Sequence, residues 1–170
     1  MRYQYKNIYP YCLFFLVAFS VGIQYSCNDN NKCDFVNCSN SGTCIGGACS
    51  CVTGYQGPLC ETVSTSDFIG NHIVWDSGTL FGPVTYPINV DQGYVVTTLT
   101  IRNLYYGFFS DTVNAYISGP GEFQIPSQVI LGKLVYGEGF FYNTQEVVAN
   151  YQVTDNVTGT IDNRILTWMK

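Results

Sequence analysis

The chain has 170 residues, carries 7 basic and 12 acidic side chains for a formal charge of −5, and is 16% aromatic against 11% charged. A surface of that sign repels phosphate backbones, which sets nucleic acid aside as a partner. A chain this apolar and aromatic does not stay disordered, and its length leaves room for one ordinary domain and a small module.

The first element is an address. Arg2 and Lys6 precede an apolar run from Cys12 to Ile23. A positive start and a short apolar stretch read as a secretory signal peptide over residues 1–26. The run is shorter than the roughly 20 apolar residues a spanning helix needs, an uncleaved membrane anchor being the alternative. It ends at Tyr25-Ser26-Cys27. A cysteine just past such a stretch, with a small residue before it, resembles the lipobox of bacterial lipoproteins. That resemblance implies a lipid on Cys27 and attachment to a membrane. Each buried methylene contributes about 0.8 kcal/mol, so several acyl chains hold where one does not. Cysteine arithmetic points the same way: if Cys12 leaves with the signal and six others pair, Cys27 is the odd one. The alternative is an ordinary cut near Ser26, a secreted product and a free or intermolecularly bonded thiol. Residues 27–32 then read as a short lipid-anchored polar tether.

Six of the 8 cysteines fall between Cys33 and Cys60 with the spacing C-x4-C-x5-C-x4-C-x-C-x8-C. Such density implies disulfides in an oxidising compartment. Zinc sites use Cys-x2-Cys knuckles, which this segment lacks. A piece this small needs cross-links in place of a core, each worth roughly 2–4 kcal/mol. Spacing alone leaves 15 pairings open. Gly46-Gly47 between Ile45 and Ala48 suits a two-residue hairpin turn.

Residues 33–60 resemble EGF-like domains. Asn40-Ser-Gly-Thr-Cys44 is similar to the stretch before that family's third cysteine. Cys49-Ser-Cys51-Val-Thr-Gly54-Tyr55-Gln-Gly57-Pro-Leu-Cys60 matches its C-x-C-x2-G-[FY]-x-G-x2-C ending. The resemblance implies the pairs Cys33–Cys44, Cys38–Cys49 and Cys51–Cys60. Calcium-binding members carry an acidic lead before the first cysteine and an Asp or Asn after the third. Here those places hold Asp29-Asn30-Asn31-Lys32 and Ile45-Gly46-Gly47-Ala48, so no calcium is expected in this module.

Residues 61–66 read as a polar linker and 67–170 as a second domain with its own core. Its pattern has period two. Val95, Thr97, Leu99 and Ile101 alternate with Tyr94, Val96, Thr98 and Thr100. Val113, Ala115 and Ile117, and later Val147, Ala149, Tyr151 and Val153, do the same. With Gly and Pro punctuation this predicts about eight short antiparallel strands, hence a mainly β chain with a small barrel or sandwich. Phe68-Ile-Gly70, with His72 at the tryptophan position, resembles the Phe-x-Gly-x-Trp opening of lipocalin-like barrels. The whole arrangement, including a later Ile125-Pro-Ser127-Gln128 strand, looks like surface lipoproteins of the Bacteroidota.

No nucleophile or metal motif stands beside the single histidine, His72, which reads as a surface or rim residue. Asp67, Asp76, Asp91, Asp111, Glu122, Glu138, Glu146, Asp155 and Asp162 are scattered, and most read as turn residues that hydrogen-bond their own backbone, a two-carboxylate glycosidase pair brought together by the barrel being the alternative. Tyr105-Tyr106-Gly107-Phe108-Phe109 and Gly139-Phe140-Phe141-Tyr142 read as plugs of the core and its ends, a ligand cavity or sugar-binding face being the alternative. The expected product is an exported outer-membrane or cell-surface protein, without a cofactor or enzymatic activity, that binds a protein or glycan. The alternative is a lipocalin-like carrier of a small apolar ligand.

Overall fold

A computed structural model describes residues 32–170. The signal segment, Cys27 and most of the tether lie outside the described residues. Among the described residues no helix is long and apolar enough to cross a membrane.

The disulfide-rich module opens with a hairpin of β1 (Thr43–Ile45) and β2 (Ala48–Ser50). Gly46 and Gly47 fill its turn with φ of 60° and 93°, a region glycine enters without a Cβ penalty. Cys44 and Cys49 face each other across the hairpin, yet each bonds elsewhere. The bridges are Cys33–Cys44, Cys38–Cys49 and Cys51–Cys60, the pairs that the sequence resemblance implies. β3 (Tyr55–Gln56) then pairs with β4 (Thr62–Val63).

That last pairing corrects the expectation of a linker at 61–66. Thr62 and Val63 form a strand, residues Ser64–Asp67 form a 3-10 turn, and Ser64 and Thr65 are buried. The Ser64 N–H donates to the Gly54 carbonyl at 2.9 Å. Polar composition looks like a free link because it does not reveal where backbone groups find partners; here they find them in the module.

Eight strands follow: β5 (Gly70–Gly78), β6 (Val84–Gln92), β7 (Thr98–Arg102), β8 (Val113–Gly119), β9 (Glu122–Ile130), β10 (Lys133–Phe141), β11 (Glu146–Asp155) and β12 (Ile161–Met169). Each pairs antiparallel with its successor, and β12 returns to β5, so the sheet closes on itself. Between barrel and sandwich, the chain is a barrel. Closure gives every strand two neighbours and leaves no edge for another chain to extend.

Side-chain alternation decides the inside. Val113, Ala115 and Ile117 on β8, and Val147, Ala149, Tyr151 and Val153 on β11, are buried, while the residues between them face outward. Each buried branched aliphatic or aromatic side chain contributes about 1.5–3 kcal/mol. The alternation read from Tyr94 begins later than its sequence suggests. Residues 93–97 form a loop, in which the Thr98 hydroxyl accepts from the Val95 N–H at 3.1 Å, and Tyr94 is fully exposed. β-branched residues fit a strand, but a side chain bonding a neighbouring backbone competes with it.

The two ends are plugged differently. At the near end, which carries the disulfide-rich module, Phe68 lies edge-on to Phe123 at 5.1 Å and stacks with Phe141 at 5.0 Å. Gly139 makes room there: a Cβ on it would lie 2.2 Å from the Phe123 ring. Val96 and Thr97 of the β6–β7 loop pack on Gly54 of the module. At the far end the loop after β7 folds inward, burying Leu104, Tyr105 and Phe109.

Candidate functional site

The residues singled out in the sequence do not gather into one site. His72 sits at the near end of β5. Its Nε2 is 2.9 Å from the Phe68 carbonyl oxygen and its ring tilts against Trp168 at 5.6 Å. It is tied to backbone and packing rather than to a nucleophile. The two aromatic stretches supply the plugs just described. Asp155 does cap a turn, accepting from the Val157 and Thr158 N–H groups at 2.9 and 3.0 Å. Those bonds, after the one from Lys133, hold its carboxyl well below the usual range.

Asp76 and Asp162 correct the turn reading. Both lie within strands, point inward and are buried. Between them lies Arg164, whose side chain is 0% exposed, with Nε 2.8 Å from Asp76 Oδ1 and Nη1 2.9 Å from Asp162 Oδ2. Gly78 leaves the space: a Cβ there would stand 2.4 Å from Arg164 Nη1. Tyr86 and Tyr151 donate their hydroxyls to Asp76 Oδ2, at 2.5 and 2.7 Å. Tyr105 donates to Asp162 Oδ2 at 3.3 Å, while the Leu80 N–H and the Thr79 hydroxyl donate to Oδ1.

The electrostatics of this cluster follow from burial. Burial opposes ionisation of Asp162, but the Arg164 and Leu80 hydrogen bonds outweigh it and hold its carboxyl below the ordinary value. Burial, and then the Asp162 charge, push the Tyr105 hydroxyl up to about 12. Burial and Asp76 raise Tyr86 and Tyr151 in the same direction. The Arg164 guanidinium stays charged because the carboxylates overcome its desolvation. Two carboxylates therefore converge, as two-carboxylate glycosidases require. Here, however, they share one guanidinium and a full set of donors, and Tyr105 and Tyr106 cover that guanidinium with ring centroids 5.3 and 4.2 Å from its carbon. The arrangement is that of a buried core ion network.

A broad concavity lies outside. A groove of about 890 Å3 crosses the waist of the barrel over β5, β12, β11, β10 and β9. Its shape comes from the sheet. β10 and β9 lose register between Val135 and Gly137, so that Pro126 and Ser127 share one partner position. A bulge bends its strand and increases local twist, and proline is tolerated there because it owes no ladder hydrogen bond. Gly137 lies so close to the next strand that a Cβ would be 2.4 Å from the Asn150 carbonyl oxygen. Trp75, Tyr136 and Ile165 line the groove from outward positions and are 46%, 41% and 49% exposed. Among the described residues no three His, Cys, Asp or Glu side chains gather as metal ligands, there or elsewhere.

No family model matches the chain, and no curated protein matches it. Among the solved structures similar to it in part are two of low identity. One is a redesigned beta barrel, with a TM-score of 0.47 and 14% identity over 63% of this chain and 94% of that one. The other is a protein of unknown function from the DUF3598 family of Nostoc punctiforme. It aligns with a TM-score of 0.43 and 12% identity over 64% of this chain and 49% of its own.

The groove was missed in sequence for a definite reason. On β10 Val135 is buried, but the next two inward positions are Gly137 and Gly139, so a single apolar residue marks the phase that puts Tyr136 and Glu138 outside. On β5 the signal existed: Val74 inside fixes Trp75 outside, and an outward tryptophan on a barrel strand is an exposed apolar surface that invites a partner.

Proposed function

We propose that this chain is a non-catalytic, surface-displayed binding protein that offers the outer waist of its barrel to a ligand. An EGF-like module and a lipid on Cys27 would then serve as spacer and anchor outside the cell. The groove carries this reading: it is a hollow of about 890 Å3 flanked by the exposed rings of Trp75 and Tyr136. The signal-like segment and the match of Cys49 to Cys60 with an EGF-like ending support export and the module's identity. The alternative of a carrier of a small apolar ligand has less room. The barrel interior is filled by its own side chains, which leaves the carrier a far-end hollow of about 440 Å3 beside Phe81, Tyr106 and Phe108.

The test uses the mature chain from Asn28 onward, immobilised and exposed to cell-envelope material. The expected result is capture that falls at least about tenfold when Trp75 and Tyr136 are both changed to alanine, since buried aromatic anchors dominate binding energy. Equal capture by both forms, or none by either, would overturn the reading. Mass spectrometry of the native N-terminus checks the anchor, with a lipid adduct expected on Cys27.

A further inference from the structure

We infer that the waist groove binds a neutral oligosaccharide laid across the strands, an assignment that rests on the binding-protein reading above. The floor is a continuous row of outward side chains: Gln124 opposite Glu138, Glu138 opposite Asn150, Asn150 opposite Ile165, and Ile165 opposite Ser77. A second row beside it runs Tyr136, Gln152, Asn163. Trp75 and Tyr136 stand at opposite corners. They are three strand spacings apart, about 14 Å, and offset by four residues of rise, about 13 Å. That span suits an extended chain of several rings rather than a single small molecule.

The chemistry of the floor selects the class of ligand. Side-chain amides offer donors and acceptors together, which is what vicinal hydroxyl groups need. Among the described residues no hydrogen bond engages the side chains of Glu138, Asn150 or Asn163, so their capacity is unspent. Tyr136 is held in place by its hydroxyl, which donates to Gln152 Oε1 at 2.5 Å, and Tyr116 is held likewise on Gln124. Rings fixed before binding present a face to the apolar C–H side of a sugar with little ordering left to lose.

Charge and topology remove the competitors. Among the described residues the one charged side chain facing the groove is Glu138. Arg164 contributes to the lining, but its guanidinium points inward onto Asp76 and Asp162. A phosphate, sulfate or uronic acid would therefore meet an anion and no cation. The amide rows do not suit a lipid tail, whose burial would desolvate them unpaired. A peptide strand cannot be added, since a closed barrel has no edge.

The experiment is an array of short neutral hexose and pentose oligomers beside sulfated and uronic-acid oligomers, probed with the mature chain and followed by titration of tryptophan emission. Trp75 is exposed and Trp168 buried, so the emission change reports Trp75 over a constant background in the parent and Tyr136→Ala forms, and calorimetric titration reads the two Trp75 variants. Neutral oligomers should bind. Trp75→Ala and Tyr136→Ala should each weaken that binding by about tenfold, the worth of one stacked ring, while Trp75→Phe keeps most of it. Both side chains point outward, so unchanged melting confirms that the variants fold. Binding confined to the charged oligomers, or neutral binding indifferent to both substitutions, overturns the assignment. A blank array with groove-dependent capture of envelope material overturns the sugar but leaves the binding protein standing. A blank array with no groove-dependent capture removes both.

Discussion

At the scale of single residues the fold turns on Arg164. A guanidinium with no exposed side-chain surface holds two carboxylates inside the barrel, and three tyrosine hydroxyls, the Thr79 hydroxyl and the Leu80 N–H donate to the same carboxylates. Such a pair adds little net stability over an apolar core, but removing one partner leaves the others buried and unbalanced. Arg164→Met should therefore destabilise the barrel by about 3–5 kcal/mol, read from the midpoint of urea unfolding at unchanged slope. Tyr105→Phe keeps the ring beside the guanidinium and loses one bond to a charged acceptor, so about 1.5–3 kcal/mol is expected. Equal stability of Arg164→Met and the parent would mean that the core is not organised around this cation. The network was half legible. Asp162, Arg164, Leu166 and Trp168 alternate, which places charge and core on one face, yet acids beside serine or asparagine resemble turn residues just as well. Asp155 follows that rule and Asp76 does not, because strand phase, not the neighbouring residue, decides which way a carboxylate points.

At the scale of elements, period-two patterning was sufficient where inward positions are apolar and failed where they are glycine or where a loop is β-branched. β8 and β11 announce themselves. The start of β7 does not, since Val95, Val96 and Thr97 look like strand but are bent by the Thr98 side chain. The hairpin at Gly46-Gly47 was legible because only a few residues populate that turn. The bulge opposite Tyr136 was not, and with it went the shape of the groove. Gly137 tests that shape. A methyl there would meet the Asn150 carbonyl oxygen at 2.4 Å and Tyr151 Cβ at 2.6 Å, and a strand bonded on both sides cannot step away. Gly137→Ala should cost about 1–3 kcal/mol, as overpacking does, and weaken groove binding with it. Gly82→Ala is the control. Nothing lies within 4 Å of its Cβ position, so the change should be neutral or stabilising by up to about 1 kcal/mol. Thermal unfolding of the two variants side by side separates a steric effect of the barrel wall from a general intolerance of alanine.

At the scale of the whole molecule, covalent sulfur and a closed hydrogen-bond ladder stabilise different parts, and pH acts on the second. The count of strands and the disulfide pairs could be anticipated from sequence. What could not was that residues 61–66 join the two parts, because that depends on partners supplied by the fold. Reduction should therefore release residues 33–60, whose bridges are worth roughly 2–4 kcal/mol each, while amide exchange in β5–β12 stays slow; simultaneous loss of protection in the barrel would show that the module holds it shut. The acid and alkaline limits come from the buried network. The carboxyl of Asp162 is held below its ordinary value, so its contribution is complete above about pH 4, the unfolded value, and is lost as pH falls through the lower, folded one. Tyr105 is raised to about 12, and Tyr86 and Tyr151 are raised as well. A raised group contributes fully below its unfolded value of about 10 and loses that contribution as pH climbs through the folded one. Stability should hold steady from about pH 5 to about 10 and decline on both sides. Tyrosinate absorbance identifies the cause of the alkaline decline. The buried tyrosines should ionise only together with loss of the barrel. If all the tyrosines titrated in one step well before unfolding, water would already have access to the charge cluster, and the interior would have to be reconsidered as a binding site.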